Sequence, residues 1–158
     1  MLKNWLRIVS NLAGKSGLPF HFASVIGDVN SGSDTADFGY DNNADFYYSN
    51  LINTLILFSL TRSELEKLSS PTFDPIFELE TELDYAFTPL LFETLFRNKL
   101  VSPSLRQELL LFKQEVDAIP DSAWDLNFLE KDNRWISSRQ KASRLLDKLD
   151  IDSDRRSL

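Results

Sequence analysis

Residues 46–61, FYYSNLINTLILFSLT, contain no charged side chain. Leu51, Leu55 and Phe58 recur at i, i+4 and i+7, with Ile52, Ile56 and Leu60 running beside them. On a helix these positions form two adjacent apolar stripes, so the element is oily nearly all round and has to be covered on several sides. The cover is either protein or lipid. A membrane span takes about 20 predominantly apolar residues, whereas this run is shorter and carries Asn50, Asn53, Thr54 and Ser59. The pattern therefore predicts a central helix buried in a soluble fold, with no membrane partner, and the rest of the chain has the task of covering it.

The 158 residues suffice for that task, because a chain of this length buries about two-thirds of its unfolded surface. Hydrophobic residues make up 42% of it, including 12 Phe, 4 Tyr and 3 Trp. The absence of cysteine removes disulfides, thiolate nucleophiles and Cys-based metal sites, and fits a reducing cytoplasm. The first residues, MLKNWLRIVSNLAGK, space their apolar side chains helically rather than in the continuous block of a signal peptide.

Charge is unevenly spread. The net charge is −7, yet residues 1–27 carry Lys3, Arg7 and Lys15 without an acid, and residues 97–158 are nearly balanced. The negative charge sits in residues 28–96, where 13 acids face only Arg62 and Lys67. Such a field repels nucleic-acid backbones and attracts basic proteins.

In chain order, Leu2, Trp5, Leu6, Val9 and Leu12 predict an amphipathic first helix over 2–13, ended by Gly14, Gly17 and Pro19. Residues 18–26, LPFHFASVI, read equally as a short strand or a buried helical turn. Residues 27–45 are rich in Gly, Asn, Ser and Asp and predict a long loop, after which Asn43 or Asp45 caps the central helix. Thr61 and Glu64 match a capping box for a short helix. Ser70-Pro71, Asp74-Pro75, Thr88-Pro89 and Ser102-Pro103 each set a capping side chain before proline, the signature of a helix start. Leu79 and Leu83, Leu91 and Leu95, and Leu105, Leu109, Phe112 and Val116 supply the stripes that follow. The stretch 77–87 also alternates apolar and acidic residues as a strand would, but its Glu and Leu content and Asp74-Pro75 favour a helix. A last helix over 133–149 turns Trp135, Ala142, Leu145, Leu146 and Leu149 inward. The expected fold is all-α, six or seven helices in one domain over 1–150, followed by a frayed tail at 151–158. An α+β fold with strands at 18–26 and 77–87 is the alternative.

Enzymatic and cofactor motifs do not emerge. Gly14-Lys15-Ser16 lacks the earlier glycine of a phosphate-binding loop, since position 9 is Val. His21 is the only histidine and sits between Phe20 and Phe22, which suits a packed residue. Asp41, Asn43 and Asp45 copy the opening of a calcium loop, but Phe46 stands where glycine is required and Ile52 where the bidentate glutamate belongs. The chain is therefore expected to be no enzyme and to need no cofactor or metal. Two features suit a binding role. One is the Asp-rich loop, in which Asp34, Asp37 and Asp41 accompany Phe38 and Tyr40. The other is Glu78, Glu80, Glu82 and Asp84. On a helix, Glu78 and Glu82 share one ridge and Glu80 and Asp84 another, flanking a face that bears Thr81 and Tyr85. Like charges at i, i+4 cost a few tenths of a kcal/mol, and acids framing an exposed aromatic suit a basic partner.

Taken together, the small size, the missing cysteine, the helical text and the acidic centre from Asp28 to Glu93 resemble bacterial immunity proteins, particularly those paired with toxins of contact-dependent growth inhibition systems. The resemblance implies an acidic cytoplasmic antitoxin that neutralises a cognate nuclease by covering its basic active-site face. A helical adaptor that binds through an apolar groove is the other class this sequence suits.

Overall fold

The computed structural model describes residues 39–151, and they are all-α. The expected first helix, the 18–26 segment, His21, Asp34, Asp37 and the tail from 152 lie outside the described residues. Six helices follow one another: α1 (Ala44–Ser59), α2 (Arg62–Leu68), α3 (Pro75–Ala86), α4 (Pro89–Arg97), α5 (Arg106–Asp117) and α6 (Asn133–Lys148). Short 3-10 turns, Pro103–Leu105 and Asp121–Ala123, lead into α5 and into the α5–α6 connection.

The uncharged run becomes α1, and residues 50–58 are buried without interruption. A solvated helix would expose a residue every turn. Here α6, α3 and α4 pack around α1, while α5 reaches the core by packing on α6. Phe58 is the hub of the aromatic core. Its ring meets Phe112 edge-on at 5.4 Å and stacks with Trp135 at 6.0 Å, spacings at which aromatic pairs are worth about 0.5–1.5 kcal/mol beyond burial. The indole N–H of Trp135 donates to the Ala123 carbonyl at 2.8 Å, so this side chain brings no unpaired donor into the interior.

Local punctuation explains most boundaries. The Thr61–Glu64 capping box is formed in both directions, with Thr61 N donating to Glu64 Oε2 at 2.7 Å and Glu64 N to Thr61 Oγ1 at 3.3 Å. Asp74 Oδ1 accepts from the amides of Ile76 and Phe77, and Pro75 opens α3. That start, with Leu79, Leu83 and Ala86 buried at helical spacing, settles 77–87 as helix rather than strand. At the other end of the chain, Asp150 adopts a positive φ of 54° and Ile151 N donates to Leu146 O.

Several local expectations are corrected. Ser70-Pro71 does not start a helix: Ser70 and Phe73 exchange backbone hydrogen bonds of 3.0 Å around a turn, because the next good N-cap is Asp74. Thr88 occupies the N-cap position of α4 without capping it, its hydroxyl donating backwards to Asp84 O. Asn43 precedes α1, but its amide likewise turns back to Gly39 O. The expected loop ends early, since residues 39–41 already form a helical turn. Ile151, assigned to the tail, is buried.

Candidate partner-binding face

Helix α3 carries most of the acids singled out by sequence, and its wheel sorts them by neighbour. Leu79, Leu83 and Ala86 mark the buried side. Glu78 and Glu82 border that side towards α1, Glu80 and Asp84 border it on the other flank, and Phe77, Thr81 and Tyr85 point outward between them.

The α1 border is more deeply engaged than expected. Asn50 Nδ2, on a buried side chain of α1, donates to Glu82 Oε2 at 2.9 Å. One turn on, Thr54 Oγ1 donates to Asn50 O at 2.9 Å and lies 3.3 Å from Glu82 O. Glu82 is thus half-buried rather than directed away from the core as its sequence neighbours suggested. Burial pushes its carboxyl above the usual range, the Asn50 hydrogen bond partly offsets this, and Glu78 pushes it further up. Burial likewise raises Glu78, with Asp74 adding to the effect.

Above this bond lies a tyrosine cluster. The rings of Tyr40 and Tyr47 are 6.3 Å apart, and Phe46 meets Tyr47 edge-on at 6.0 Å. Burial raises the Tyr85 phenol, with Tyr47, Glu82 and Tyr40 contributing by proximity. So α1 and α3 together present a face of phenols and carboxylates. Phe46, Phe77 and Tyr85 are among its most exposed members, at 45%, 59% and 40%.

Asp84 and Asp41 have cationic partners. Asp84 receives Lys113 Nζ at 3.0 Å, a lysine that also binds Asp117. Asp41 receives Arg97 at 2.7 Å and Asn98 Nδ2 at 2.7 Å, and these hold its carboxyl below the usual range. With that carboxylate committed to a guanidinium, and Asn43 turned back on Gly39, the calcium-like spacing does not gather its oxygens around one point. Among the described residues no group of His, Cys, Asp and Glu is arranged to hold a metal ion. By contrast, Glu78, Glu80 and Glu82 have no cationic partner among the described residues.

Sequence reasoning missed Tyr47, Asn50 and Phe77. Tyr47 and Asn50 lie inside the uncharged run and were absorbed into the core. The available signal was Asn50 itself: an amide on a helix buried all round needs a polar partner, and an acid-rich neighbouring helix supplies one. Phe77 projects outward once 77–87 is placed on a helix rather than a strand.

A second feature adjoins the face. An open groove of about 560 Å³ runs between the Ser70–Phe73 turn, the start of α3 and Leu126, with Phe77 and Glu78 on its rim. No helix among the described residues is long and apolar enough to cross a membrane. No protein-family model matches the chain, and no curated protein or solved structure matches it.

Proposed function

We propose that this chain is a cytoplasmic binding protein whose α1–α3 face receives a basic protein partner, and that within this class it acts as an immunity protein neutralising a cognate nuclease toxin. The observation that carries the proposal is the contrast in charge pairing. Among the described residues Glu78, Glu80 and Glu82 stand without a cation beside exposed Phe77 and Tyr85, while the acids that line the other helix contacts are matched to Lys or Arg. Acids left unmatched on one face set a negative potential that speeds encounter with a basic surface. Aromatic side chains at the same place supply short-range affinity. Only non-catalytic roles fall to these residues, as positioned acceptors and anchors for Lys and Arg of the partner.

The test is neutralisation. The full chain, mixed in equimolar amount with the nuclease domain encoded beside it in its source genome, should abolish nuclease activity and co-elute with that domain. A nuclease that stays active in the mixture would overturn the immunity role. A second reading, a helical adaptor, draws on the groove beside Phe77. Its partner would bind with little dependence on salt, whereas the acidic face predicts a strong one.

A further inference from the structure

We propose that the α1–α3 face takes one arginine side chain of its partner, the guanidinium seated over Glu82 beside the rings of Tyr47 and Tyr85. This deepens the function proposed above and rests on it for the source of the arginine, whereas the site rests on geometry. Tyr47 and Asn50 stand three residues apart on α1, and Glu82 and Tyr85 stand three apart on α3, so each pair shares a helix face. The bond from Asn50 Nδ2 to Glu82 Oε2, at 2.9 Å, joins the two pairs. Thr54 Oγ1, 3.3 Å from Glu82 O, holds the helices together one turn on. Tyr40 adds a third phenol, its ring 6.3 Å from that of Tyr47. Burial, and then the nearness of Tyr47, Glu82 and Tyr40, raises the Tyr85 phenol, so these groups share one neighbourhood.

Charge and hydrogen bonding both select a cation here. Among the described residues Glu82 has no Lys or Arg partner, and its other oxygen, Oε1, accepts no hydrogen bond. No buried side-chain oxygen among the described residues lacks a hydrogen-bond partner, so Oε1 reaches solvent. A half-buried carboxylate gains most from a cation that can follow it out of water. Arginine does this better than lysine. Its guanidinium is weakly hydrated, stacks on aromatic faces and presents a planar fork of donors, for which Glu82 Oε1 and the phenol oxygens are acceptors. An ammonium is compact and strongly hydrated, so leaving water costs it more. Glu78 and Glu80 thus attract any basic surface, whereas Glu82 and the tyrosines decide which basic residue is held.

NMR on the isotope-labelled full chain tests this without any toxin. Nα-acetylarginine methylamide and its lysine counterpart, titrated at one ionic strength, represent the two basic side chains. The arginine compound should shift the Asn50 side-chain amide and the Tyr47 and Tyr85 ring signals saturably, and should bind severalfold more tightly than the lysine compound. Tyr85→Leu, at an exposed position, should weaken arginine binding severalfold and remove most of the preference over lysine. Glu82→Gln should abolish saturation, while Glu80→Gln, on the other flank of α3, should leave the affinity nearly unchanged. Equal affinity for the two compounds, shifts without saturation, or a loss in Glu80→Gln as large as in Glu82→Gln would overturn the arginine site. That outcome would leave the proposed function standing on its unmatched acids, and a toxin that stays active in the mixture would leave the arginine site standing.

Discussion

The two halves of the described fold are held by different physics. Residues 39–86 contain nine acids against Arg62 and Lys67, and their central helix α1 meets its neighbours through apolar side chains and the Asn50–Glu82 bond. Residues 87–151 contain ten acids and ten bases. There α5 is tied by ion pairs to the helices on both sides, Glu93–Arg106 towards α4, and Glu115–Lys141 and Glu108–Lys148 towards α6. Exposed pairs of this kind contribute about 0–1 kcal/mol each, so they fix register more than stability. The comparison separates two uses of charge. In the second half it is spent on pairs between helices. In the first, Asp41 and Asp84 are paired but Glu78, Glu80 and Glu82 have no cationic partner among the described residues, which suits the basic partner proposed above.

The largest effect should come from the core of the first half. Leu55 is fully buried, and Leu55→Ala should cost about 2–5 kcal/mol in denaturant unfolding. Leu110, on the outer side of α5 and 41% exposed, should tolerate alanine within about 0.5 kcal/mol. Equal losses at the two positions would break the contrast between the buried helix and its cover.

Next comes the polar contact between α1 and α3. Asn50→Ala removes the donor and leaves a half-buried carboxylate, which should cost about 1–3 kcal/mol. Glu82→Gln tests the same contact by pH. Because burial raises the folded carboxyl above its ordinary value of 4.5, the native state holds this proton more tightly than the unfolded chain does. The resulting stabilisation is fully present below pH 4.5 and is lost as pH rises through the raised value. Glu82→Gln should therefore flatten that part of the stability profile and leave neutral-pH stability no lower. In the second half the sign reverses: Arg134 holds Asp132 at about 2, so its contribution is present above the ordinary value of 3.8 and is lost as pH falls through about 2. Stability profiles of Glu82→Gln and Asp132→Asn that bend the same way would contradict the difference.

The smallest effects should come from the pairs of the second half. Lys148→Ala should change stability by less than about 1 kcal/mol, because both side chains of the Lys148–Glu108 pair are nearly half exposed.

The sequence carried the fold well where one local cause decided the outcome. The uncharged run made α1 visible, and the capping box and Asp74-Pro75 set the starts of α2 and α3. What stayed hidden depends on which neighbour a side chain meets. Thr88-Pro89 and Asp74-Pro75 look alike in text, yet only Asp74 turns its side chain onto the amides that follow. Glu78, Glu80, Glu82 and Asp84 read as one acidic cluster, but the packing of α3 on α1 brings Glu82 to Asn50, and Asp84 on the other flank meets Lys113 of α5. Likewise Asp41 read as a free loop acid, because nothing near it in sequence announces Arg97.

Association kinetics with the nuclease proposed above as the partner test most directly whether the first half keeps its charge for a partner. Two charge-matched variants, Glu78→Lys with Glu80→Lys in α3 and Glu108→Lys with Glu115→Lys in α5, would be measured at 0.1 and 1 M salt. The α3 variant should associate at least tenfold more slowly than wild type at low salt and approach it at high salt, as expected when a Debye length of about 10 Å contracts to about 3 Å. The α5 variant carries the same change in net charge and should slow association far less. Equal slowing by both variants would mean that net charge alone governs the encounter, and slowing by the α5 variant alone would move the partner surface to the other half of the molecule.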